Sequence, residues 1–346
     1  MLNEKQIKEI REHLEKAQNP IFFFDNDPDG LCSFLLLQRY IGRGKGVPIK
    51  SFPDLTVDYF RKVQELKADY IFILDKPVVS KEFWEKIEQF NFPVIWIDHH
   101  EVQVKIPEFV NYYNPLYNKD KRNEPVSVLC YQITNRKEDM WLALVGAISD
   151  KFLPDFYSEF KKKYPDLDYD SKDAFDVLYK SDIGYVAKIM SAGLKDKTSN
   201  VVAMLKFLMK AKSPYEVLKE SGSNFLMHRR FNQIDKRYQR LLKEAIKSYN
   251  PKEKILFFQY GGDLSISAEL SNELSYRYPN KYVVVMYVKG IKVNISARGN
   301  NVKSKILKAI EGIKDASGGG HENAVGAQVK IQDLELFRKK FIDSFR

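Results

Sequence analysis

Short, uniformly apolar runs recur through the first hundred positions, at 21–24, 70–74 and 94–97, each closed by polar or turn-forming residues. Runs of that length suit strands buried on both faces. Between them lie segments with helical spacing. Residues 4–17 place Ile7, Ile10 and Leu14 on one face and stop at Asn19-Pro20; further helices are expected over 32–40, 59–66 and 80–90. A strand is expected over 47–52 and an apolar helix over 140–148. Apolar strands alternating with helices predict a mostly parallel sheet covered on both faces. Residues 155–250 read differently: glycine is scarce, no strand pattern appears, and the stretch is mostly helical. It ends in a long helix over 225–249. Ile234, Tyr238, Leu241, Ala245 and Tyr249 share one face of it, and Arg229, Lys236, Arg240, Lys243 and Lys247 another. Asn250-Pro251 marks a boundary. Beyond it the α/β pattern returns: strands at 255–259, 282–288, 291–296 and 325–330, helices at 266–276, 302–313 and 333–345, and a glycine-rich loop at 317–321. Lys289-Gly290 supplies a tight turn between the second and third of those strands. The expected fold class is α/β. Its expected parts are a mostly parallel sheet domain over 1–154, a helical middle segment and linker over 155–250, and a smaller α/β domain over 251–346.

Composition narrows the setting. The 346 residues are 44% hydrophobic, which suffices for two buried cores, and 29% charged, which argues against wholesale disorder. No apolar run reaches the ~18 residues of a membrane-spanning helix. The first thirty residues show no signal-peptide pattern. Cys32 and Cys130 are too few for a disulfide framework and lack metal-ligand spacing, so a reducing cytoplasm is expected. Charge is unevenly placed. Residues 1–150 hold 20 Lys/Arg against 23 Asp/Glu, whereas the whole chain carries +10, so 151–346 carries +13. A basic half points to a polyanionic partner such as nucleic acid; a solvated, lysine-rich surface is the plain alternative.

The chemistry lies just beyond each buried run. After 21–24 comes Asp25-Asn26-Asp27-Pro28-Asp29-Gly30; after 70–74, Asp75; after 94–97, Asp98-His99-His100; and after the 140–148 helix, Asp150. In an open parallel sheet, ligands bind beyond the carboxyl ends of the strands. Carboxylates gathered at one such edge repel one another unless cations hold them there. Oxygen donors with one or two imidazoles suit Mn²⁺ or Mg²⁺ better than a structural zinc, and the ligand count is enough for two ions. Two ions ~3.5–4 Å apart can activate water and stabilise both oxygens of an in-line displacement, the logic of phosphoester hydrolysis, which paired-metal peptidases share. Taken singly, the first segment reads as a turn, Asp75 as a strand end and Asp150 as a helix end; their joint placement carries the reading. A calcium hand is excluded by Leu36, which stands where the last acidic ligand belongs. In the second half, Ser317-Gly318-Gly319-Gly320-His321 offers unhindered backbone N–H groups for an anion, and Arg298 is a candidate phosphate fork. No Gly-Lys-Ser/Thr comes after it, so this is not a Walker loop.

These pieces, in this order, resemble the DHH phosphoesterases. Asp25 to Gly30 resembles the first motif, Asp75 the second, Asp98-His99-His100 the third, and Asp150 in Ala147-Ile148-Ser149-Asp150 the fourth. Ile295 to Gly299 with Gly318 to His321 resembles the substrate-binding domain attached to one DHH subfamily. The first motif opens with Asp, as in RecJ-like nucleases. The short, lysine-rich form is similar to archaeal RecJ-like proteins, some of which associate with replication or repair helicases. The resemblance implies two α/β domains facing across a cleft. It also implies a two-metal site of Asp25, Asp27, Asp29, Asp75, Asp98, His99 and Asp150, filled by two Mn²⁺ or Mg²⁺ ions. His100 would contact the scissile phosphate or protonate the leaving oxygen. Arg298, Gly318, Gly319, Gly320 and His321 would hold a substrate phosphate. The activity so implied is exonucleolytic hydrolysis of single-stranded DNA or RNA, in replication or repair. A phosphodiesterase for short oligonucleotides or dinucleotides, and a helicase-associated scaffold, are the alternatives.

Overall fold

The computed structural model describes residues 1–50, 54–102 and 105–345, and the chain divides into two compact units, Met1–Phe231 and Asn232–Arg346. The first unit opens with α1 (Glu4–Lys16), capped reciprocally by Asn3 and Gln6, then β1 (Pro20–Asp25) and α2 (Pro28–Ile41). β2 (Lys45–Ile49) comes next, and the last positions of the strand expected over 47–52 lie outside the described residues. β3 (Asp54–Leu55) precedes α3 (Phe60–Glu65) and β4 (Tyr70–Leu74). β5 (Val78–Val79) pairs with β3 as a small ribbon, before α4 (Lys81–Phe90), β6 (Val94–Ile97) and β7 (Val110–Tyr113). Helices then take over: α5 (Val126–Thr134), α6 (Met140–Ser149), α7 (Tyr157–Lys163), α8 (Ala174–Lys180), α9 (Asp182–Leu194), α10 (Thr198–Leu208), α11 (Pro214–Leu218) and α12 (Phe225–Lys247). The division between the units falls within α12, and none of the described helices is long and apolar enough to cross a membrane.

The main sheet runs β2-β1-β4-β6-β7, with every pair parallel. Alternate residues of its strands feed two cores. Ile21, Phe23, Ile71, Ile73 and Trp96 pack with Val63, Phe83 and Ile87 of α3 and α4. On the other face, Phe24 stacks on Phe34 of α2 at 5.2 Å and Phe22 on Phe72 at 4.9 Å. Each such ring contributes about 2–3 kcal/mol of burial, which fixes the strand register. Strand order reverses between β1 and β4, and that switch point is where an open α/β sheet leaves a crevice.

The second unit holds β8 (Ile255–Gly261), α13 (Ser267–Arg277), β9 (Tyr282–Lys289), β10 (Lys292–Arg298), α14 (Val302–Ile310), β11 (Ser317–His321), β12 (Ala324–Lys330) and α15 (Leu334–Asp343). Its sheet, ordered β11-β12-β10-β9-β8, is mixed: β8 runs parallel to β9, and the other pairs are antiparallel. Ile306, Phe337 and Phe341 of α14 and α15 cover Val284, Met286, Val293 and Ile295. The segment 317–321, expected as a loop, is the edge strand β11, paired with β12 from Ser317↔Gln328 to His321↔Ala324. Its glycines suit that pairing, because a Cβ on Gly320 (φ +137°) would meet the Ala324 carbonyl.

Candidate metal centre

Three neighbouring strands end in the expected acids. Asp25 is the last residue of β1. Asp75 directly follows β4, its N–H bonded to the Ile97 carbonyl at 3.0 Å. Asp98 follows β6, its N–H on the Tyr113 carbonyl at 3.0 Å. The sheet therefore brings these carboxylates to one edge, at the switch point. Asp75 has φ +57°, a left-handed conformation uncommon outside glycine and tolerated best by Asp and Asn.

Asp27 and Asp29 arrive by a different device. The DPDG segment is a helix start. Asp27 caps α2 by accepting from the Gly30 N–H at 2.9 Å, and Pro28 occupies the first turn, where its missing N–H costs nothing. Helix α2 thus begins four residues before the apolar run suggests. Gly30 is required there, since a Cβ would lie 2.5 Å from the Asp25 carbonyl. Asp29, fully buried, turns onto the start of α5: it accepts from Val126 N–H at 2.7 Å, Ser127 N–H at 3.0 Å and the Ser127 hydroxyl. Gly146 of α6 makes room for this contact, because a Cβ there would strike Ser127 and the Asp29 carboxylate. Asp150 forms the C-cap of α6.

The histidines close the cluster. His99 Nδ1 lies 2.9 Å from Asn123 Oδ1, an atom that only accepts, so Nδ1 carries the proton. In the neutral ring the lone pair is then on Nε2, which stands 3.3 Å from Asp75 Oδ1 and 3.5 Å from Asp150 Oδ2. His100 Nδ1 donates to Asp98 Oδ1 at 2.8 Å and lies 3.8 Å from Asp75 Oδ1. Donor atoms of Asp29, Asp75 and His99 fall within 4.8 Å of one another, as do those of Asp75, Asp98 and His100. Asp75 belongs to both groups.

The electrostatics reflect crowding. Burial, then Asp25 and Asp29, lifts Asp27 from the ordinary carboxylate range to about 7. Burial lifts Asp29 as well, against the hydrogen bonds from Ser127 and Val126. Burial and the neighbouring aspartates push Asp75 and Asp150 well above their usual range. Burial alone would lower His100; its hydrogen bond to Asp98 and the nearby acids outweigh this and raise it. Asp75 Oδ1 is buried and receives no hydrogen bond from the described residues. Acceptors facing acceptors at 3.3–3.5 Å require protons or cations between them, and an oxygen-rich set with one imidazole lone pair fits hard divalent ions.

Four participants were not singled out from sequence. Lys76, fully buried, donates from Nζ to Asp25 Oδ1 at 2.9 Å. Asn123 orients His99. Asn114 donates to the His100 carbonyl at 2.8 Å, and Ser127 holds Asp29. A lysine directly after a motif aspartate was the one signal available; the asparagines lie in segments with no periodicity.

In the second unit, Arg298 ends β10 and His321 ends β11, and both stand in register with Ala324 of the intervening β12. Arg298 Nε donates to Asn272 Oδ1 at 2.5 Å and Nη1 to the Ala297 carbonyl at 2.8 Å. The fork is thus held at the same sheet end as the glycine strand, about two strand spacings from His321.

Residues 252–346 match the family model described as the DHHA1 domain. RecJ from Thermus thermophilus, in complex with Mn²⁺, superposes with a TM-score of 0.70 at 15% identity, over 97% of this chain and 53% of that one. The fold is RecJ-like, with a DHHA1 domain at its C-terminal end. An exonuclease RecJ bound to manganese gives 0.68 at 14% identity, over 99% and 94% of the two chains. A pGpG-specific phosphodiesterase from Vibrio gives 0.51 at 14%, over 94% and 98%. The chain spans about half the length of the Thermus RecJ. No curated protein matches it in sequence. Arg298 and Gly318 to His321 all lie inside the DHHA1 domain, and the carboxylate cluster lies in the N-terminal, RecJ-like part.

Proposed function

We propose that this RecJ-like chain is a divalent-metal-dependent phosphodiesterase, and specifically an exonuclease acting on single-stranded DNA or RNA. The observation that carries it is that donor atoms of Asp29, Asp75 and His99, and of Asp75, Asp98 and His100, lie within 4.8 Å of one another beyond the ends of neighbouring strands, with Asp150 3.5 Å from His99; Asp25 and Asp27 are read into the same site from their motif. Two Mn²⁺ or Mg²⁺ ions held there would supply Lewis-acid activation of water and neutralise phosphate charge. The chain's own groups do the rest. Asp75, common to both donor groups, is the residue that could serve both ions. Asn123 fixes the His99 tautomer, the usual task of a partner behind a metal-binding imidazole. His100, held by its hydrogen bond to Asp98, contacts the scissile phosphate or protonates the leaving oxygen. Arg298, the Gly318–Gly320 backbone and His321 hold a substrate phosphate, and the basic surface beyond residue 150 attracts the strand. Work beside a replication or repair helicase suits such an enzyme and stands on the archaeal RecJ-like resemblance alone.

The deciding experiment is digestion of 5′- and 3′-end-labelled DNA and RNA single strands with Mn²⁺ and with chelator. Metal-dependent, stepwise shortening from one end supports the reading; intact strands under all conditions overturn it. The Vibrio pGpG phosphodiesterase favours a second substrate class, so dinucleotides belong in the same assay. Turnover confined to dinucleotides would replace the long-strand assignment.

A further inference from the structure

Among the described residues Lys76 is the one fully buried cation of the carboxylate cluster, and neither the motifs nor the proposed chemistry uses it. A lysine without exposed surface is rare, because an ammonium removed from water costs several kcal/mol unless it is paired. Here the sheet builds a place for it. The Asp75 backbone turns through its left-handed conformation at the end of β4, Lys76 comes next, and Trp96 Nε1 on β6 donates to the Lys76 carbonyl at 2.9 Å. Nζ then meets Asp25 Oδ1 at 2.9 Å. The first acid of the cluster is therefore engaged by a positive charge that belongs to the protein, while Asp29, Asp75 and His99 converge within 4.8 Å with Asp150 3.5 Å from the His99 ring.

We propose that Lys76 makes the two cation positions unequal. This rests on the metal-centre reading above. The position formed by Asp29, Asp75, His99 and Asp150 binds a divalent ion tightly, since its donors converge on one point, with His99 Nε2 3.3 Å from Asp75 and 3.5 Å from Asp150. The position formed by Asp25 and Asp27 is weak, because an ion there must compete with the ammonium for Asp25 and sit beside its charge. A substrate phosphate, by adding negative charge, is what brings the second ion in. Lys76 is thus a positioning residue that couples filling of the second position to the presence of substrate.

The test is stepwise Mn²⁺ binding to the full chain after chelator treatment, read by calorimetry and by electron paramagnetic resonance of free Mn²⁺. Wild type should bind one ion tightly and a second at least tenfold more weakly. Lys76→Met should tighten the second step at least tenfold, Lys76→Arg should keep the steps apart, and Asp25→Asn should remove the weak step while sparing the tight one. Should Lys76→Met fail to fold, as read by tryptophan emission, Lys76→Arg and Asp25→Asn decide. Two equal steps in wild type, unchanged affinities in Lys76→Met, or loss of the tight step in Asp25→Asn would overturn the assignment. If those results came with intact Mn²⁺-dependent cleavage, only the role of Lys76 would fall; a wild type that bound no Mn²⁺ would end the metal-centre reading too.

Discussion

Asp29 has two tasks, and removing it separates them. In Asp29→Ala the Val126 and Ser127 N–H groups lose their acceptor at the buried start of α5, while the Ser127 hydroxyl can turn to the Ala143 carbonyl, 3.4 Å away. Two orphaned buried amides cost about 1–3 kcal/mol each. Part of that is offset, because a carboxylate whose pKa burial raises opposes folding when ionised and its removal relieves this. A net loss of about 2–4 kcal/mol remains, or roughly 5–15 °C in melting temperature for a unit of this size. Asp75→Asn is the matched control: Asp75 Oδ1 accepts no hydrogen bond from the described residues and its carboxyl is strongly raised, so that substitution should stabilise the metal-free chain. Tryptophan emission in chelator is the assay, since Trp84, Trp96 and Trp141 all lie in the first unit. An unchanged midpoint for Asp29→Ala, or an equal fall for Asp75→Asn, would refute the idea that Asp29 is a structural acceptor and Asp75 an uncompensated acid.

Three further outcomes are expected. In chelator, stability should fall as pH rises from about 4 to 7, because folded Asp27, with its pKa near 7, keeps a proton that the unfolded chain has released; Asp27 alone accounts for about 4 kcal/mol, the raised Asp29, Asp75 and Asp150 act in the same direction, and Mn²⁺ should reverse the slope, as melts at pH 4 to 8 will show. Asp98→Ala should abolish Mn²⁺-dependent cleavage of labelled single strands while leaving circular dichroism unchanged; wild-type turnover would remove Asp98 from the centre. His321→Ala should raise KM at least tenfold with little change in kcat, whereas wild-type kinetics would make the end of β11 a bystander.

The elements most legible in the sequence are those that packing alone dictates. Ile21–Phe24, Tyr70–Leu74 and Val94–Ile97 are apolar throughout because both faces of their sheet are covered, and they form β1, β4 and β6. Strand β7 leaves no apolar signature, because Val110-Asn111-Tyr112-Tyr113 breaks the run with an amide, and α5 leaves little, because its apolar residues sit among loop-like neighbours. The 317–321 segment read as a loop for a sound local reason: glycine weakens strands. Pairing with β12 overrides that preference, as tertiary context does when the partner strand is already fixed by β10.

The acids of the site were legible for a similar reason: a parallel sheet delivers the residues after each strand to one edge. What the sequence withheld are the contacts between parts far apart in the chain. Asp29 reaches Ser127 across 98 positions, and Lys76 reaches Asp25 across 51. Neither pairing leaves a local trace, because an aspartate in a DPDG turn and a lysine before a proline have ordinary local explanations. Each changes the chemistry nonetheless. A site of acids alone would depend wholly on metal for its charge balance. This one carries an ammonium on one acid and a helix start on another, so the protein itself sets how many protons or divalent ions are needed to finish the job. Lys76 on Asp25 and the start of α5 on Asp29 thus share the charge balance of the site with whatever cations fill it.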